Sequence, residues 1–156
     1  MREAIKTIMD AITDELVITS TGTISREVFD CRDRPENFYV MGSLGSALGI
    51  GLGLALNTEK RVVVIAGDGD ILISLGTLVL MKWLKLPNLK LYIIDNNIYA
   101  STGCQPTCSE SVNFSTLADC EVIKVKPIKT YPPRINLSPK EISERFYEAV
   151  NGGCND

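Results

Sequence analysis

Two short polar clusters stand where the sequence predicts that buried strands end. Gly67-Asp68-Gly69-Asp70 follows the β-branched run RVVVIA, and Asn96 follows the apolar run KLYIID. In doubly wound sheets, ligands bind beyond the carboxyl ends of the strands, and neighbouring strands lie only about 5 Å apart. If these two strands are neighbours, Asp68 and Asn96 can share one hard cation together with one backbone carbonyl. Such oxygens, completed by water and phosphate, are a usual ligand set for Mg²⁺.

The residues beside Asp68 favour a phosphorylated ligand. Gly67 and Gly69 allow the backbone to turn sharply and to bring its amides against phosphate. Asp70–Ile71 begins a predicted helix whose N-terminus favours anions. Taken alone, Gly-Asp-Gly is equally typical of an ordinary strand-to-helix turn, because glycine and aspartate dominate turns. The cluster by itself therefore leaves both interpretations open.

The hydrophobic patterns around these clusters predict alternating strands and helices. Residues 61–95 read as strand, helix and strand, a βαβ unit that is nearly always right-handed. Gly45, Gly49 and Gly53 recur every four residues in one predicted helix, where they leave a face without side chains for a close contact. This order predicts an α/β fold, a doubly wound and mostly parallel sheet with helices on both faces. The predicted strands are 15–21, 37–41, 61–66, 90–95 and 121–126, and the predicted helices are 5–12, 25–31, 43–56, 71–84 and 139–151.

The C-terminal part of the chain has two distinct segments. Residues 127–137 contain three prolines and predict an extended connector. Ser138-Pro139-Lys140-Glu141 then forms a capping box with proline at the first helical position, which predicts a helix over residues 139–151. At 156 residues, the whole chain (1–156) is predicted to form a single domain.

The composition excludes several kinds of chemistry. The chain has no histidine, so a Ser-His-Asp triad, a Cys-His dyad and a His-ligated zinc site are excluded on this chain alone. Its 16 basic and 19 acidic residues give a net charge of −3, which provides no electrostatic reason to expect nucleic acid or an anionic membrane as a partner. Five unevenly spaced cysteines, without the apolar core of a signal peptide, indicate reduced thiols in a cytoplasmic protein.

The spacing of the two clusters resembles that of a known family. Gly67-Asp68-Gly69, 26 further residues and Asn96 resemble the signature with which thiamine-diphosphate enzymes bind Mg²⁺ and diphosphate in their PP domain. Upstream, Thr21-Gly22-Thr23 is similar to the family's diphosphate loop. Gly42-Ser43-Leu44-Gly45 is similar to the segment whose bulky apolar residue holds the cofactor in a bent conformation. The resemblance therefore implies thiamine diphosphate and Mg²⁺ as cofactors.

The resemblance also implies which residues form the site. The metal ligands would be Asp68, Asn96 and the Ile98 carbonyl. An apolar, water-poor pocket would be lined in part by Leu44, Ile71 and Ile98. The cofactor supplies the electron sink, so no catalytic residue is expected on this chain. The implied cofactor-binding residues are Thr21, Gly22, Thr23, Gly42, Ser43, Leu44, Gly67, Asp68, Gly69, Asp70, Ile71, Asn96, Ile98 and Tyr99.

In that family, a second domain of PYR type supplies a glutamate that acts on the pyrimidine ring of the cofactor. This chain has no room for such a domain, so a separate PYR-type subunit is expected to complete the active site, in part against residues 43–56. The interface would make the protein a hetero-oligomer. The glycines of that segment are the reason for expecting the contact there.

Within the family, three stretches are similar to members that decarboxylate sulfopyruvate or phosphonopyruvate, some of them built from two chains. The stretches are SREVFDCRDRPENFYVMGSLGSALGIGLGLAL, IIDNNIYASTGCQPT and RINLSPKEISERF. The resemblance implies a carboxy-lyase that converts sulfopyruvate to sulfoacetaldehyde and carbon dioxide in coenzyme M biosynthesis, with phosphonopyruvate as the alternative substrate. Ser101, Thr102 and Gln105 are candidates for binding the small anionic 2-oxo acid.

Two features depart from the family pattern. Asp70 stands where relatives usually have serine or alanine, which places a second carboxylate near the diphosphate. Residues 113–126 are fewer than the corresponding region usually contains, so one βα unit is expected to be missing. These departures keep a second hypothesis open, in which the chain is a non-catalytic subunit that binds the cofactor or only a partner.

Two further hypotheses are a metal site formed by cysteines and a nucleotide-binding domain. Cys104, Cys108 and Cys120 together could ligate a metal, but their spacing fits no common zinc or iron–sulfur pattern. A nucleotide-binding Rossmann domain is disfavoured, because the glycine-rich run after residue 41 lacks the acidic ribose ligand at the expected distance.

Overall fold

The computed structural model of the chain describes residues 1–127 and 130–152. Five parallel strands form its central sheet, and two short strands form a separate antiparallel hairpin. In chain order the strands are β1 (Leu16–Thr19), β2 (Asn37–Tyr39), β3 (Val62–Gly67), β4 (Leu89–Asp95), β5 (Ile98–Tyr99), β6 (Gln105–Pro106) and β7 (Glu121–Lys124). The sheet has the order β2-β1-β3-β4-β7, and β5 pairs with β6.

Helices cover both faces of the sheet. They are α1 (Arg2–Ala11), α2 (Thr23–Arg32), α3 (Ala47–Ala55), α4 (Asp68–Ile73), α5 (Gly76–Leu84), α6 (Phe114–Leu117) and α7 (Pro139–Asn151), with one 3₁₀ turn at Ser109–Ser111. The predicted α/β class with a parallel sheet is therefore confirmed. Among the described residues, no helix combines the length and the apolar character needed to cross a bilayer.

The alternation of side chains along β3 explains why two helical layers are needed. Val62 and Val64 belong to the core under α3 and α5, whereas Val63 and Ile65 belong to the core under α1 and α2. Every second residue of a strand points to the same face, so an entirely apolar run must be covered on both sides. The run RVVVIA thus predicts a central strand correctly.

The predicted helix 43–56 begins later than expected. Helix α3 starts at Ala47, and Gly45 lies before it with a φ of +97°, a conformation that ends any helical path. Only Gly49 and Gly53 remain on the open side of the helix, where added Cβ atoms would meet nothing within 4 Å. The glycine that approaches the sheet is Gly51, whose Cα packs directly against the Val64 side chain.

The predicted helix 71–84 is two helices. Helix α4 begins at Asp68 and ends before Ser74, whose backbone (φ −116°, ψ 40°) is not helical. The Ser74 hydroxyl donates to the Asp70 carbonyl, and the Thr77 hydroxyl donates to the Ser74 carbonyl at 2.7 Å. These side chains satisfy backbone groups at the break, so α5 starts in a new direction without leaving those carbonyls unpaired.

Helix α7 closes the edge of the sheet at β2. Its capping box is formed in both directions, because Glu141 N–H donates to Ser138 Oγ (3.2 Å) and Ser138 N–H donates to Glu141 Oε2 (2.7 Å). Ile142 and Phe146 contribute to the two opposite cores, so the helix seals the end of the sheet. The connector before it has no regular secondary structure at residues 127 and 130–137, and the rest of the predicted connector lies outside the described residues.

The connection between β4 and β7 is short. It contains the β5–β6 hairpin, the 3₁₀ turn and α6, which has four residues. Within the described part of the chain, β7 is the last strand of the sheet on that side. The expectation that one βα unit is missing relative to the family stays a prediction.

Candidate functional site

The two polar clusters meet at the same edge of the sheet. Strands β3 and β4 are direct neighbours, and Gly67 is paired with Ile94 at their carboxyl ends. Asp68 directly follows Gly67, Asn96 lies two residues after Ile94, and both line one cavity of about 350 Å³. The adjacency on which the predicted cation site depends is therefore present in the fold.

Most of the predicted site residues surround this cavity. The predicted cofactor residues on its wall are Thr21, Thr23, Gly42, Leu44, Gly67, Asp68, Gly69, Asp70, Asn96, Ile98 and Tyr99, and the predicted substrate residues on it are Ser101 and Thr102. They come from the loops that follow β1, β2, β3 and β4, so the cavity lies at the carboxyl ends of four parallel strands. Ligands bind at such ends in doubly wound sheets.

The structure does not bring four of the named residues to the cavity wall. Ile71 is fully buried in the hydrophobic core, because its position in α4 directs it towards the sheet. Gly22 lies behind the wall, where an added Cβ would be 3.3 Å from Ser101 Oγ. Ser43 is exposed beside Leu44. Gln105 is exposed in the hairpin, where its Oε1 accepts from the Thr102 hydroxyl at 3.0 Å.

Asp68 is a nearly inaccessible carboxylate at the start of α4, with 2% of its surface exposed. Burial raises the pKa of its carboxyl group, the Thr107 hydroxyl that donates to Oδ2 opposes the rise, and the nearby Asp95 carboxylate adds to it. The net effect is a pKa above the ordinary range. A buried carboxylate with an unfavourable ionised form is a group that a bound cation would stabilise.

Asn96 and Ile98 form a tight turn at the end of β4. The Ile98 N–H donates to Asn96 Oδ1 at 3.1 Å, and Asn97 between them adopts a φ of +59°. An amide oxygen has a second lone pair, so Asn96 Oδ1 can still coordinate a cation. With Asp68, these residues provide a set of oxygen donors suited to a hard cation such as Mg²⁺. The residues present therefore fit the metal and the diphosphate that the sequence implies.

The β5–β6 hairpin folds back over the Gly-Asp-Gly turn. The Tyr99 ring lies directly against Gly69, a position where any Cβ would collide with it. The Thr107 N–H donates to the Asn97 carbonyl at 3.1 Å, which anchors the end of the hairpin beside Asp68. The contact between the Tyr99 ring and Gly69 explains why glycine is needed after Asp68.

Thr107 contacts the site although no sequence motif indicates it. The same holds for several residues of the cavity wall, namely Met1, Ser20, Ile24, Ile94 and Ala100. The buried hydroxyl of Thr107 donates to Asp68, 39 residues earlier in the chain. Ser109, two residues later, donates to Asp95 Oδ1 at 2.7 Å and to Asn97 Oδ1 at 3.1 Å. A threonine and a serine in a loop carry no distinctive pattern. The only signal was their place shortly after Asn96, in the loop already expected to overhang the pocket.

Asp70 is a second buried carboxylate on the cavity wall, with 2% of its surface exposed. Burial raises the pKa of its carboxyl group, and the neighbouring Ser20 and the Gly45 N–H act in the opposite direction. Its Oδ1 accepts from the Gly45 N–H at 2.7 Å, whereas its Oδ2 is buried without a hydrogen-bond partner. The departure noted in the sequence thus lies at the site itself.

The cysteine hypothesis finds no support in the geometry. Cys104 and Cys108 are exposed and Cys120 is half-buried. Within residues 1–127 and 130–152, no three or more histidine, cysteine, aspartate or glutamate side chains are grouped closely enough to hold a metal ion. The site at Asp68 and Asn96 depends instead on one carboxylate together with amide and carbonyl oxygens.

Comparison with known proteins agrees with this geometry. Residues 20–145 match the family described as thiamine pyrophosphate enzyme, C-terminal TPP binding domain. The matched range begins just before the Thr21 loop and ends within α7, so it includes every element that contributes to the cavity wall apart from Met1.

Three relatives illustrate the similarity. Sulfopyruvate decarboxylase subunit beta of Methanothermobacter thermautotrophicus is 39% identical over 179 residues, covering 99% of this chain and 97% of that protein. Sulfopyruvate decarboxylase of Methanosarcina acetivorans is 33% identical over 180 residues, covering 96% of this chain and 46% of that protein. Phosphonopyruvate decarboxylase of Streptomyces viridochromogenes is 41% identical over 105 residues, covering 67% of this chain and 26% of that protein.

Proposed function

The chain belongs to the thiamine pyrophosphate enzymes, through their C-terminal cofactor-binding domain, and on this premise we propose that it is the cofactor-binding subunit of a decarboxylase that requires thiamine diphosphate and Mg²⁺. The proposed reaction converts sulfopyruvate to sulfoacetaldehyde and carbon dioxide, in coenzyme M biosynthesis. The observation that carries the proposal is the meeting of Asp68 and Asn96 on one cavity wall, at the ends of neighbouring strands.

Each part of the cavity has a role in this proposal. Asp68, Asn96 and the Ile98 carbonyl would hold Mg²⁺ and, through it, the diphosphate. Gly69 and the loop at Thr21 and Thr23 would contact the diphosphate with backbone and hydroxyl groups. Bound thiamine diphosphate supplies the electron sink that a 2-oxo acid needs to lose carbon dioxide.

The apolar part of the wall has a separate role. Leu44, Ile98 and the Tyr99 ring would exclude water from the reacting end of the cavity. Charge disperses as carbon dioxide leaves, so a dry environment favours that step. In this proposal the chain positions the cofactor and excludes water from it, and it supplies no acid or base, in agreement with its lack of histidine.

The proposal includes a PYR-type partner subunit that completes the site and supplies a glutamate. Exposed apolar side chains of α3, α5 and the adjoining segments support a docking surface there, since a cluster of such residues marks an interaction site. Gly49 and Gly53 lie on the same helix with open space above them. The exposed apolar residues are Met41, Leu44, Ile50, Leu56, Ile73, Val79, Leu80 and Trp83.

The choice of substrate follows the extent of similarity. Four relatives that carry the name sulfopyruvate decarboxylase are aligned with 74–99% of this chain, whereas the phosphonopyruvate decarboxylase described above is aligned with 67% of it. The hydroxyl groups of Ser101 and Thr102 on the cavity wall would donate hydrogen bonds to the anionic head of the substrate. As part of the same proposal, the reaction takes place in the cytoplasm, where reduced thiols such as those of the described cysteines persist.

Reconstitution tests the proposal. The chain is coexpressed with its PYR-type partner, loaded with thiamine diphosphate and Mg²⁺, and assayed for carbon dioxide release from sulfopyruvate, phosphonopyruvate and pyruvate. We expect the highest kcat/KM for sulfopyruvate. The highest value for phosphonopyruvate would instead identify the alternative substrate. No carbon dioxide from any of the three acids at full cofactor occupancy would identify a non-catalytic subunit.

A further inference from the structure

We propose that Asp70 is a positioning residue that ties the loop of residues 42–46 to α4 and thereby sets the distance between two walls of the cavity. Residues 42–46 are here called the Leu44 loop. The link itself is visible in the fold, and its consequence for cofactor binding rests on the function proposed above. The inference also explains why this chain has a carboxylate at the position where it departs from the family pattern.

The contact joins two segments that are distant in sequence. Asp70 Oδ1 accepts from the Gly45 N–H at 2.7 Å, across 25 residues. Ile73, one turn further along α4, packs against the same point, because an added Cβ at Gly45 would lie 2.8 Å from Ile73 Cγ2. Residues three apart on a helix share a face, so Asp70 and Ile73 hold the Leu44 loop together, one through a hydrogen bond and one through packing.

The Leu44 loop needs an external anchor. Gly42, Ser43 and Gly45 have φ values of +79°, +24° and +97°, so the backbone follows no regular path. Its internal support is limited to the Ser46 N–H, which donates to the Ser43 carbonyl at 3.2 Å. Among the described residues, no side chain other than that of Asp70 hydrogen-bonds the backbone of this loop. The conformation therefore depends on two side chains of α4, and Asp70 provides the only hydrogen bond among them.

The position of the loop matters because of the residues it presents. Gly42 and Leu44 lie on the cavity wall that follows β2, and Asp68 lies on the wall that follows β3. Asp70 is two residues from Asp68 and reaches across to Gly45, so it couples the two walls. Leu44 is 41% exposed and has little packing of its own to hold it in place. Loss of the tether is expected to displace Leu44 while leaving the Gly-Asp-Gly turn where it is.

The two carboxylate oxygens make the proposal specific. Oδ1 is used by the tether, and Oδ2 is buried and unpartnered. Asp70→Asn keeps an acceptor for the Gly45 N–H and removes the charge, whereas Asp70→Ala removes the acceptor. If the tether is the function of the residue, the asparagine variant behaves as the wild type. If the free Oδ2 or the negative charge is the function, both variants fail alike.

Hydrogen exchange of the full chain without cofactor tests the link. We expect the Gly45 amide to be protected in the wild type although it lies outside any helix or strand. In Asp70→Ala its exchange should accelerate about tenfold, and in Asp70→Asn it should stay near the wild-type rate. An unprotected Gly45 amide in the wild type would overturn the proposal without any variant, and so would unchanged exchange in Asp70→Ala.

Calorimetry on the assembled complex tests the consequence, with Mg²⁺ plus inorganic pyrophosphate as one probe and Mg²⁺ plus thiamine diphosphate as the other. In Asp70→Ala we expect affinity for thiamine diphosphate to fall about tenfold and affinity for pyrophosphate to change less than about twofold, because the Asp68 turn is intact. In Asp70→Asn both affinities should remain. Equal losses for both probes, or a loss in Asp70→Asn as large as in Asp70→Ala, would overturn the proposal. A wild-type complex that binds neither probe, with Gly45 still protected, would overturn the proposed function and support the tether.

Discussion

Two regions of this fold use aspartate in opposite ways. At the cavity, Asp68 and Asp70 are almost inaccessible, their pKa values are raised by burial, and one oxygen of Asp70 has no partner. At the edge of the sheet, Asp33 is paired with Arg145 of α7 through two hydrogen bonds, and the Tyr39 hydroxyl donates to it at 2.7 Å. Burial acts to raise the pKa of Asp33, but these partners outweigh it and hold the pKa below its ordinary range.

The difference separates a carboxylate whose charge is satisfied within the protein from two carboxylates whose burial is only partly compensated. The Asp33 cluster satisfies its charge within the protein, and Arg145 additionally donates to the Arg34 carbonyl at 2.7 Å, so the cluster fastens α7 to the segment before β2. The hydrogen bonds to the cavity carboxylates compensate only part of the cost of their burial, and a cation would lower the remaining cost. Incompletely satisfied charge in a cavity is therefore the better indicator of a binding site.

The largest effect is expected from Asp68→Asn. Loss of the carboxylate should lower the Mg²⁺-dependent affinity for thiamine diphosphate more than about 100-fold, since even changes outside the metal ligands cost about 10–100-fold. The free energy of unfolding of the cofactor-free protein should stay equal or rise, because a buried charge is removed. Calorimetry and urea unfolding measure the two quantities. The matched control is Asp119→Asn, an exposed aspartate that is not on the cavity wall, and unchanged affinity in Asp68→Asn would contradict the site.

An intermediate effect is expected from Arg145→Ala. The substitution removes the cation from Asp33, whose side chain is 32% exposed, and should lower the free energy of unfolding by about 1–3 kcal/mol, less than for a fully buried pair. Cofactor affinity should be unchanged, since the cluster does not touch the cavity. Lys140→Ala is the control on the same helix: it removes an exposed pair with Glu144 and should cost less than about 0.5 kcal/mol. Equal losses of unfolding free energy in the two variants would contradict a stabilising role for the Arg145–Asp33 pair.

The smallest effect is expected in the pH dependence of stability without Mg²⁺. Asp33 has a lowered pKa in the folded state, so its stabilisation is complete above the unfolded value of roughly 3.9 and is lost as the pH falls through the folded pKa. Asp70 has a raised pKa, so its ionised form is a cost at pH 7 that disappears as the pH falls towards about 4. Urea unfolding between pH 7 and 3 should therefore show Asp33→Asn approaching the wild type in acid, and the wild type gaining relative to Asp70→Asn. The comparison would be refuted if the difference in unfolding free energy between the wild type and the variant changed with pH in the same direction for both variants.

Much of the fold could be predicted from local patterns. The apolar run at 61–66, the capping box at Ser138 and the spacing from Asp68 to Asn96 predict a buried strand, the C-terminal helix and the family, and all three are confirmed. The boundaries of helices were less predictable. Gly45 has the same spacing as Gly49 and Gly53 and yet adopts a left-handed conformation, because Asp70 and Ile73 hold it from outside.

The site shows the same limit. Ile71 has the apolar character expected of a pocket residue, but the path of α4 directs it into the core. Thr107 has no distinctive character and still reaches Asp68. In both cases the sequence shows the type of residue but not where its side chain points in the fold.

The sequence by itself determined the five strands of the central sheet and the chemistry of the two polar clusters, because strand periodicity and oxygen-bearing side chains are local properties. The neighbouring positions of β3 and β4, the hydroxyl of Thr107 beside Asp68 and the link from Asp70 to Gly45 arise only when the chain is folded. Those contacts join residues 25 to 39 positions apart, so they depend on how whole elements pack against each other rather than on any pattern within one of them.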